Sequence, residues 1–273
     1  MKSFLSAVAL LCLVFPSQAR SENPLYLILG AVPQETKPIV AALKDPVEGE
    51  CSGLAYTRGR LGENEVVVSL TGVGKSYTAM VTAVFLKEFE PDAAFMTGTA
   101  ARIDAGLRTG DVILPARVFL HDYGSLGDDG ITMAGLQPPS VPNRAPLLAN
   151  DFSIPAVMHR KAMSLISEYE PHSVTVDGET YPVSIRSGVV TSGDFFGVNA
   201  RRISELRTLD VDLMEMESAT FALVCGHFGV PFLVVRSGSN QAQPTPSDDY
   251  LTYGPFAAES AAKATIYLVS NWK

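Results

Sequence analysis

Charge is scarce in this 273-residue chain: 18% of its residues are Asp, Glu, Lys or Arg, against roughly 25% in an average globular domain. Basic residues are the scarcer kind, 21 against 29 acidic ones, for a formal net charge of −8. DNA and RNA demand a basic footprint that displaces their counterions, so nucleic-acid polymers are excluded as general partners. Disorder needs high charge with low hydrophobicity, and 47% hydrophobic residues exclude it for the chain as a whole. The four histidines (His121, His159, His172, His227) are scattered without ligand spacing, so neither a metal nor any other cofactor is expected. No apolar run reaches the roughly 20 residues of a membrane span.

The longest apolar run has a different use. Lys2 precedes the apolar stretch from Phe4 to Phe15, and Pro16-Ser17-Gln18-Ala19 places small residues at the −3 and −1 positions of a cleavage site. Residues 1–19 are expected to be a removable signal peptide cut after Ala19, leaving 20–273 as one periplasmic or secreted domain. Cys12 departs with the leader, so Cys51 and Cys225 remain. An oxidising compartment permits a disulfide between them, but Cys225 sits in the apolar run Ala219–Phe228, where a buried free thiol is the commoner outcome.

Apolar runs ending near glycine then alternate with amphipathic stretches. Strands are expected at Leu25–Ala31, Val66–Leu70, Ala93–Met96, Asp111–Leu114, Ile185–Thr191 and Pro231–Arg236. Helices are expected at Ser76–Phe89, Ala156–Tyr169, Val198–Leu206, Glu217–Phe228 and Phe256–Trp272. The pattern is that of an α/β domain with a central sheet covered by helices. Ligands in such folds gather where strands run into Gly-rich turns. The segment 136–155 breaks the rhythm with five prolines, and reads equally as a binding flap or a plain surface excursion.

Two short motifs carry chemical meaning. Thr71-Gly-Val-Gly-Lys-Ser76 suggests a P-loop, but the full pattern requires glycine at the position held by Ser69, so a tight strand-to-helix turn is the better account. Glu215-Met216-Glu217 places two carboxylates inside strongly apolar sequence at the start of a helix. They complement the helix N-terminus, or they face a ligand; a buried carboxylate must be paired, protonated or so engaged.

Six motifs stand in order: 27–35 (ending in Glu35), 71–75, Thr-Gly-Thr-Ala at 97–100, Ser-Gly-Asp-Phe-Phe at 192–196, Glu-Met-Glu-Ser-Ala at 215–219, and 230–240. Together they resemble the nucleoside phosphorylase family over about 25–270, and within it the methylthioadenosine/S-adenosylhomocysteine nucleosidases. The resemblance implies a single α/β domain with a mixed sheet and a homo-oligomer, a dimer first among the choices. It also implies roles. Glu35 matches the glutamate that deprotonates the attacking water. Thr99 and Ala100 match the loop beneath the ribose, and Met216 and Glu217 the contacts to its hydroxyls. Phe196 matches the aromatic that stacks on the base, with Phe195 the alternative, and Gly197 a backbone contact to the base edge. Arg236, Ser239 and Asn240 match the loop ending the last central strand, with Arg236 and Ser239 expected to touch substrate and Asn240 to contact the base.

Two departures matter. The nucleosidases carry aspartate where this chain has Asn240, and an amide cannot hand a proton to the leaving base. That favours a 6-oxopurine or pyrimidine base, slow turnover or a binding role, unless Asp248 or Asp249 compensates. Phosphorolysis needs arginines around phosphate, and the neighbourhoods of Gly30 and Gly98 contain none. Arg58, Arg60 or Arg102 from a neighbouring subunit would be the remaining source. Asn199-x-Arg201 resembles a uracil-reading motif, with helix capping as the competing account. The leading expectation is hydrolysis of a purine nucleoside by Glu35 and Asn240. A purine or uridine phosphorylase and a nucleoside- or base-binding protein are the alternatives.

Overall fold

The apolar run Leu25–Gly30 forms β1 at the middle of the sheet, buried on both faces as a parallel strand covered by helices must be. The structure is a computed structural model and describes residues 23–136 and 150–273. After β1 come α1 (Pro33–Ala42), β2 (Lys44–Cys51), β3 (Leu54–Leu61), β4 (Asn64–Leu70), α2 (Lys75–Phe89), β5 (Ala93–Arg102) and β6 (Val112–Leu120). A hairpin of β7 (Gly124–Gly127) and β8 (Gly130–Met133) precedes β9 (Asp151–Ser153) and α3 (Ala156–Ile166). A second hairpin, β10 (Ser173–Val176) and β11 (Glu179–Pro182), leads into β12 (Ile185–Ser192) and α4 (Ala200–Arg207). The chain ends through β13 (Leu213–Glu215), α5 (Ser218–Phe228), β14 (Phe232–Gln241) and α6 (Ser247–Ser270).

The main sheet runs β13-β12-β6-β14-β5-β1-β4-β3-β2 and is mixed. β1, β4, β5 and β14 are mutually parallel neighbours, whereas β2 and β3 form an antiparallel edge. β13 pairs with β12 on one side and with the end of β5 on the other, at Leu213–Arg102 and Met214–Ala101. That second pairing curls β12, β6, β14, β5 and β13 into a ring. The curl carries the segment after β13 to the segment after Gly98, which are far apart in sequence. One large core fills the sheet–helix interfaces; a small one, containing Ile103, Phe119, Leu206 and Met214, lies under α4.

The expected α/β fold with a mixed central sheet is present, and its differences are local. α1 was not expected, because Pro33 and Pro38 obscure it; Pro33 stands in the first turn, where the missing N–H costs nothing. β2 is an exposed edge strand and lacks an apolar alternation to announce it. β14 runs to Gln241 rather than stopping at Arg236, and α6 starts at Ser247 rather than Phe256, with Pro255 inside it. Cys51 and Cys225 are both free and buried. The leader 1–19 and most of the proline-rich segment fall outside the described residues. Among the described residues, no helix is long and apolar enough to cross a membrane.

Candidate active site

Glu35 sits in the first turn of α1, just past the end of β1, and is 2% exposed. Its Oε2 accepts the N–H of Ala31 at 2.7 Å and of Val32 at 3.3 Å. Its Oε1 accepts the backbone N–H and the hydroxyl of Thr99, at 2.8 and 2.9 Å. Four donors thus meet a carboxylate that offers about four lone-pair positions, which fixes the group in place. Glu35 is a helix-start glutamate and a cavity-lining group at once.

The second acidic group comes from the turn between β13 and α5. Glu215 accepts from the hydroxyls of Ser192 and Ser218 and from the N–H groups of Glu217 and Ser218. Arg236, on β14 and fully buried, places Nη2 2.5 Å from Glu215 Oε2 and 3.2 Å from Glu217 Oε2. Two buried carboxylates therefore share one guanidinium. Burial pushes Glu217 up to about 8; Arg236 opposes the rise and Glu215 adds to it. Burial disfavours the charge on Arg236, but Glu215, Glu217 and Glu35 together hold the guanidinium above its ordinary value. Arg236 was expected to touch substrate. It does not line the cavity; it is the counter-charge beneath Glu215 and Glu217, which do.

Gly98 separates these two halves. A Cβ there would overlap Arg236 Nη1 on one side and lie 2.6 Å from Glu35 Oε1 on the other. The Gly72–Lys75 turn closes over Glu217: Gly74 N–H donates to Glu217 Oε1 at 2.9 Å, and Lys75 N–H to Asp194 Oδ1 at 2.9 Å. These two amides, which would face a phosphate in a P-loop, are spent on the chain's own carboxylates. Lys75 Nζ is held by Asp122 at 2.7 Å.

At the other end, the segment after β12 supplies Phe195 and Phe196, 50% and 54% exposed. Phe196 meets Tyr250 edge-on at 5.8 Å, which sets it at the cavity wall, whereas Phe195 leans toward His121 at 6.4 Å. Gly197 takes φ +105 directly under the Pro244 carbonyl, where a Cβ would lie 2.6 Å from that oxygen. His121 is buried, neither ring nitrogen has a partner among the described residues, and burial lowers its imidazole to about 4.

Asn240 is 2% exposed and its orientation is decided by its neighbours. Nδ2 faces the Gln241 carbonyl at 2.9 Å, so that atom must be the donor; Oδ1 then accepts from Ser239 Oγ at 2.9 Å. One amide hydrogen is left for the cavity. Asp248 and Asp249 open α6 instead of lining the cavity, and Asp249 accepts from Gln243 at 2.5 Å. Asn199 caps α4 by accepting Arg202 N–H, and Arg201 pairs with Glu205, so the uracil-reading motif is a helix start. Arg58 and Arg60 pair with Glu65 and Asp45, and Arg102 donates to the Leu107 carbonyl.

These elements enclose one cavity of about 300 Å³. Glu35, Thr99, Ala100, Phe195, Phe196, Gly197, Met216, Glu217, Ser239 and Asn240 all line it. So do Glu215, one of the two carboxylates of the acidic motif, and Val32, Val73, Met214, Gln243 and Tyr250, which were not among the expected site residues. Tyr250 was hidden by the run Gln243–Asp249, which reads as a solvated loop. The Ser247-Asp248-Asp249 helix start was the available signal. Among the described residues, no arginine or lysine lines the cavity and no group of three His, Cys, Asp or Glu is placed to hold a metal.

The sequence profile of the phosphorylase superfamily matches residues 25–270. The chain is 28% identical over 248 residues to the 5′-methylthioadenosine/S-adenosylhomocysteine nucleosidase of Glaesserella parasuis, covering 90% of this chain and 98% of that one. It is 30% identical over 237 residues to the enzyme of the same name from Marinomonas sp., covering 86% and 94%. The fold overlays the Neisseria meningitidis enzyme of that name, solved in complex with methylthio-immucillin-A, with a TM-score of 0.75 at 23% identity, covering 90% of this chain and 99% of that one. With the profile matched across its described fold and cavity, the chain belongs to the phosphorylase superfamily.

Proposed function

We propose that this chain is a nucleosidase, hydrolysing the N-glycosidic bond of a purine nucleoside to free base and sugar. The observation that carries the reading is the convergence of Glu35 and Glu217 on one cavity whose far end holds an aromatic ring and an amide donor. Leaving of the base builds positive charge on the sugar, which the Glu35 carboxylate stabilises and which favours ionisation of Glu217 beside it. Glu217 accepts from the sugar hydroxyls, with Arg236 and Gly74 fixing its two oxygens. Glu35 takes a proton from water, the water oxygen bonds to C1′, and the C1′–N electron pair departs with the base. Phe196 stacks on the base, and the free Asn240 N–H donates to an acceptor on it. Water is favoured over phosphate as the nucleophile because, among the described residues, no cationic side chain lines the cavity and the Gly74–Lys75 amides are occupied. The relatives' names make 5′-methylthioadenosine and S-adenosylhomocysteine the first substrates to try.

Asn240 supports one other reading, a nucleoside-binding protein with weakened chemistry. Purified protein incubated with methylthioadenosine, adenosine, inosine and uridine, with and without phosphate, separates the possibilities. Base release without phosphate supports the nucleosidase; release only with phosphate makes it a phosphorylase. Tight binding without release makes it a binding protein. The leader-like 1–19 supports a periplasmic or secreted location, tested by N-terminal sequencing of the exported protein. Exposed Val73, Tyr77, Met80 and Leu126 support a homodimer, tested by light scattering.

A further inference from the structure

The hydroxyl of Tyr250 reaches the hydrogen-bond shell of Glu35. Thr99 Oγ1 donates to Glu35 Oε1 at 2.9 Å and lies 3.4 Å from Tyr250 Oη, to which Gln34 Nε2 comes within 2.6 Å. Ionised Glu35 only accepts, so Thr99 spends its one hydrogen on Oε1 and its oxygen receives the Tyr250 hydrogen. The Tyr250 oxygen in turn receives from Gln34. Donors therefore run in one direction, from Gln34 through Tyr250 and Thr99 to Glu35.

That arrangement leaves Glu35 fully occupied. Three of its donors are the amides of Ala31, Val32 and Thr99, fixed by α1 and β5. A proton arriving from water needs one position cleared, and the Thr99 hydroxyl is the donor that can rotate. We propose that Tyr250 is a positioning residue for hydrolysis, its oxygen taking over the Thr99 hydroxyl so that Glu35 Oε1 can accept the proton of the attacking water. The inference rests on the reading of Glu35 as the base. When Thr99 turns, Tyr250 keeps Gln34 on one lone pair, receives Thr99 on the other, and points its own O–H into the cavity it lines. There a water or a sugar oxygen accepts it. Proton accounting is unchanged: one proton passes from water to Glu35, while Thr99 and Tyr250 exchange hydrogen bonds and transfer none. Burial raises the Tyr250 phenol above its ordinary value, which keeps that hydrogen in place through neutral pH. The ring also meets Phe196 edge-on, so seating a base against Phe196 bears on the same side chain.

The test compares wild type, Tyr250→Phe, Thr99→Val, the double variant, Thr99→Ser and Glu35→Gln, using the fastest nucleoside of the panel above. In Tyr250→Phe the Thr99 hydroxyl has nowhere to turn. Its kcat should fall about 10- to 100-fold, the size of one unreplaced hydrogen bond to a charged group, with KM held within about twofold. In the Thr99→Val background the Tyr250 substitution should add nothing, because no hydroxyl remains to move. Thr99→Ser should restore the dependence on Tyr250. Additive losses in the double variant, or a change in KM with kcat intact, overturn the proposal while leaving Glu35 in its role. Wild-type rates in Glu35→Gln overturn the reading of Glu35 itself.

Discussion

Replacing Glu217 with Gln should stabilise the unliganded protein at alkaline pH while removing its hold on the sugar. Glu217 is 3% exposed and shares a single guanidinium with Glu215, so its negative charge is one more than the pocket balances. Burial carries its folded value from an ordinary 4.5 to about 8. Between those limits the folded state binds more protons than the unfolded chain, so stability falls as pH rises. The contribution is fully present below about pH 4.5 and gone above about pH 8. At about 1.36 kcal/mol per pH unit, the whole loss is about 3–5 kcal/mol. Gln is neutral throughout and nearly the same shape. Urea unfolding of both proteins from pH 5 to pH 9 at constant ionic strength measures the difference, in which titrating groups remote from Glu217 cancel. The variant should gain steadily on the wild type up to about pH 8 and then run parallel to it. A difference that stays constant from pH 5 to pH 9 refutes the argument.

Three further outcomes follow from the same geometry. His121 is held at about 4 by burial, so the folded state binds fewer protons than the unfolded chain between 4 and 6.5. Stability is present above 6.5 and falls by about 3 kcal/mol as pH drops to 4; His121→Phe should flatten that limb in thermal melts, and an unchanged slope counts against it. Arg236→Met leaves Glu215 and Glu217 without a counter-charge and should cost about 3–5 kcal/mol by urea unfolding at pH 8, whereas a loss below about 1 kcal/mol would contradict the shared ion pair. Asn240→Asp places a carboxyl against the Gln241 carbonyl, which favours its protonated form. It should raise kcat on methylthioadenosine about 10²- to 10⁴-fold by supplying a general acid, and an unchanged kcat sinks that role.

The parts of the fold legible in the sequence are those whose burial is uniform. β1 and β4 appear as apolar runs because helices or neighbouring strands cover them, and α2 and α5 follow with little change in their ends. β2 was illegible because an edge strand facing solvent needs no apolar alternation, and α1 because its two prolines read as breaks. The end of β14 escaped for another reason. Ser237, Ser239 and Asn240 have no strand-like hydrophobicity, yet all are buried; Ser239 and Asn240 line the cavity, and the Ser239 carbonyl accepts from Thr109 in the turn after β5. The candidate site was largely legible through its motifs, since ten of the eleven expected residues line the cavity. Arg236 was misplaced by one layer: sequence order shows that a guanidinium is near the acidic pair, but not which side of that pair it occupies. Tyr250 was missed because it reaches Glu35 from α6, far along the chain, through contacts that only the folded geometry creates.

Gly98 makes the two halves of the cavity answerable to each other. One half is local, built by β1 and α1 around Glu35; the other is assembled from β13, α5 and β14 around Glu217 and Arg236. They meet across a single α-carbon that has no room for a methyl group. A substitution there would not weaken one half and spare the other, as Thr99 or Asn240 changes can. It would force the base and the guanidinium apart together, so the position tolerates no intermediate. The route by which such a pocket can drift to a new substrate therefore lies along its rim, at Phe195 and Gln243, and not through its floor.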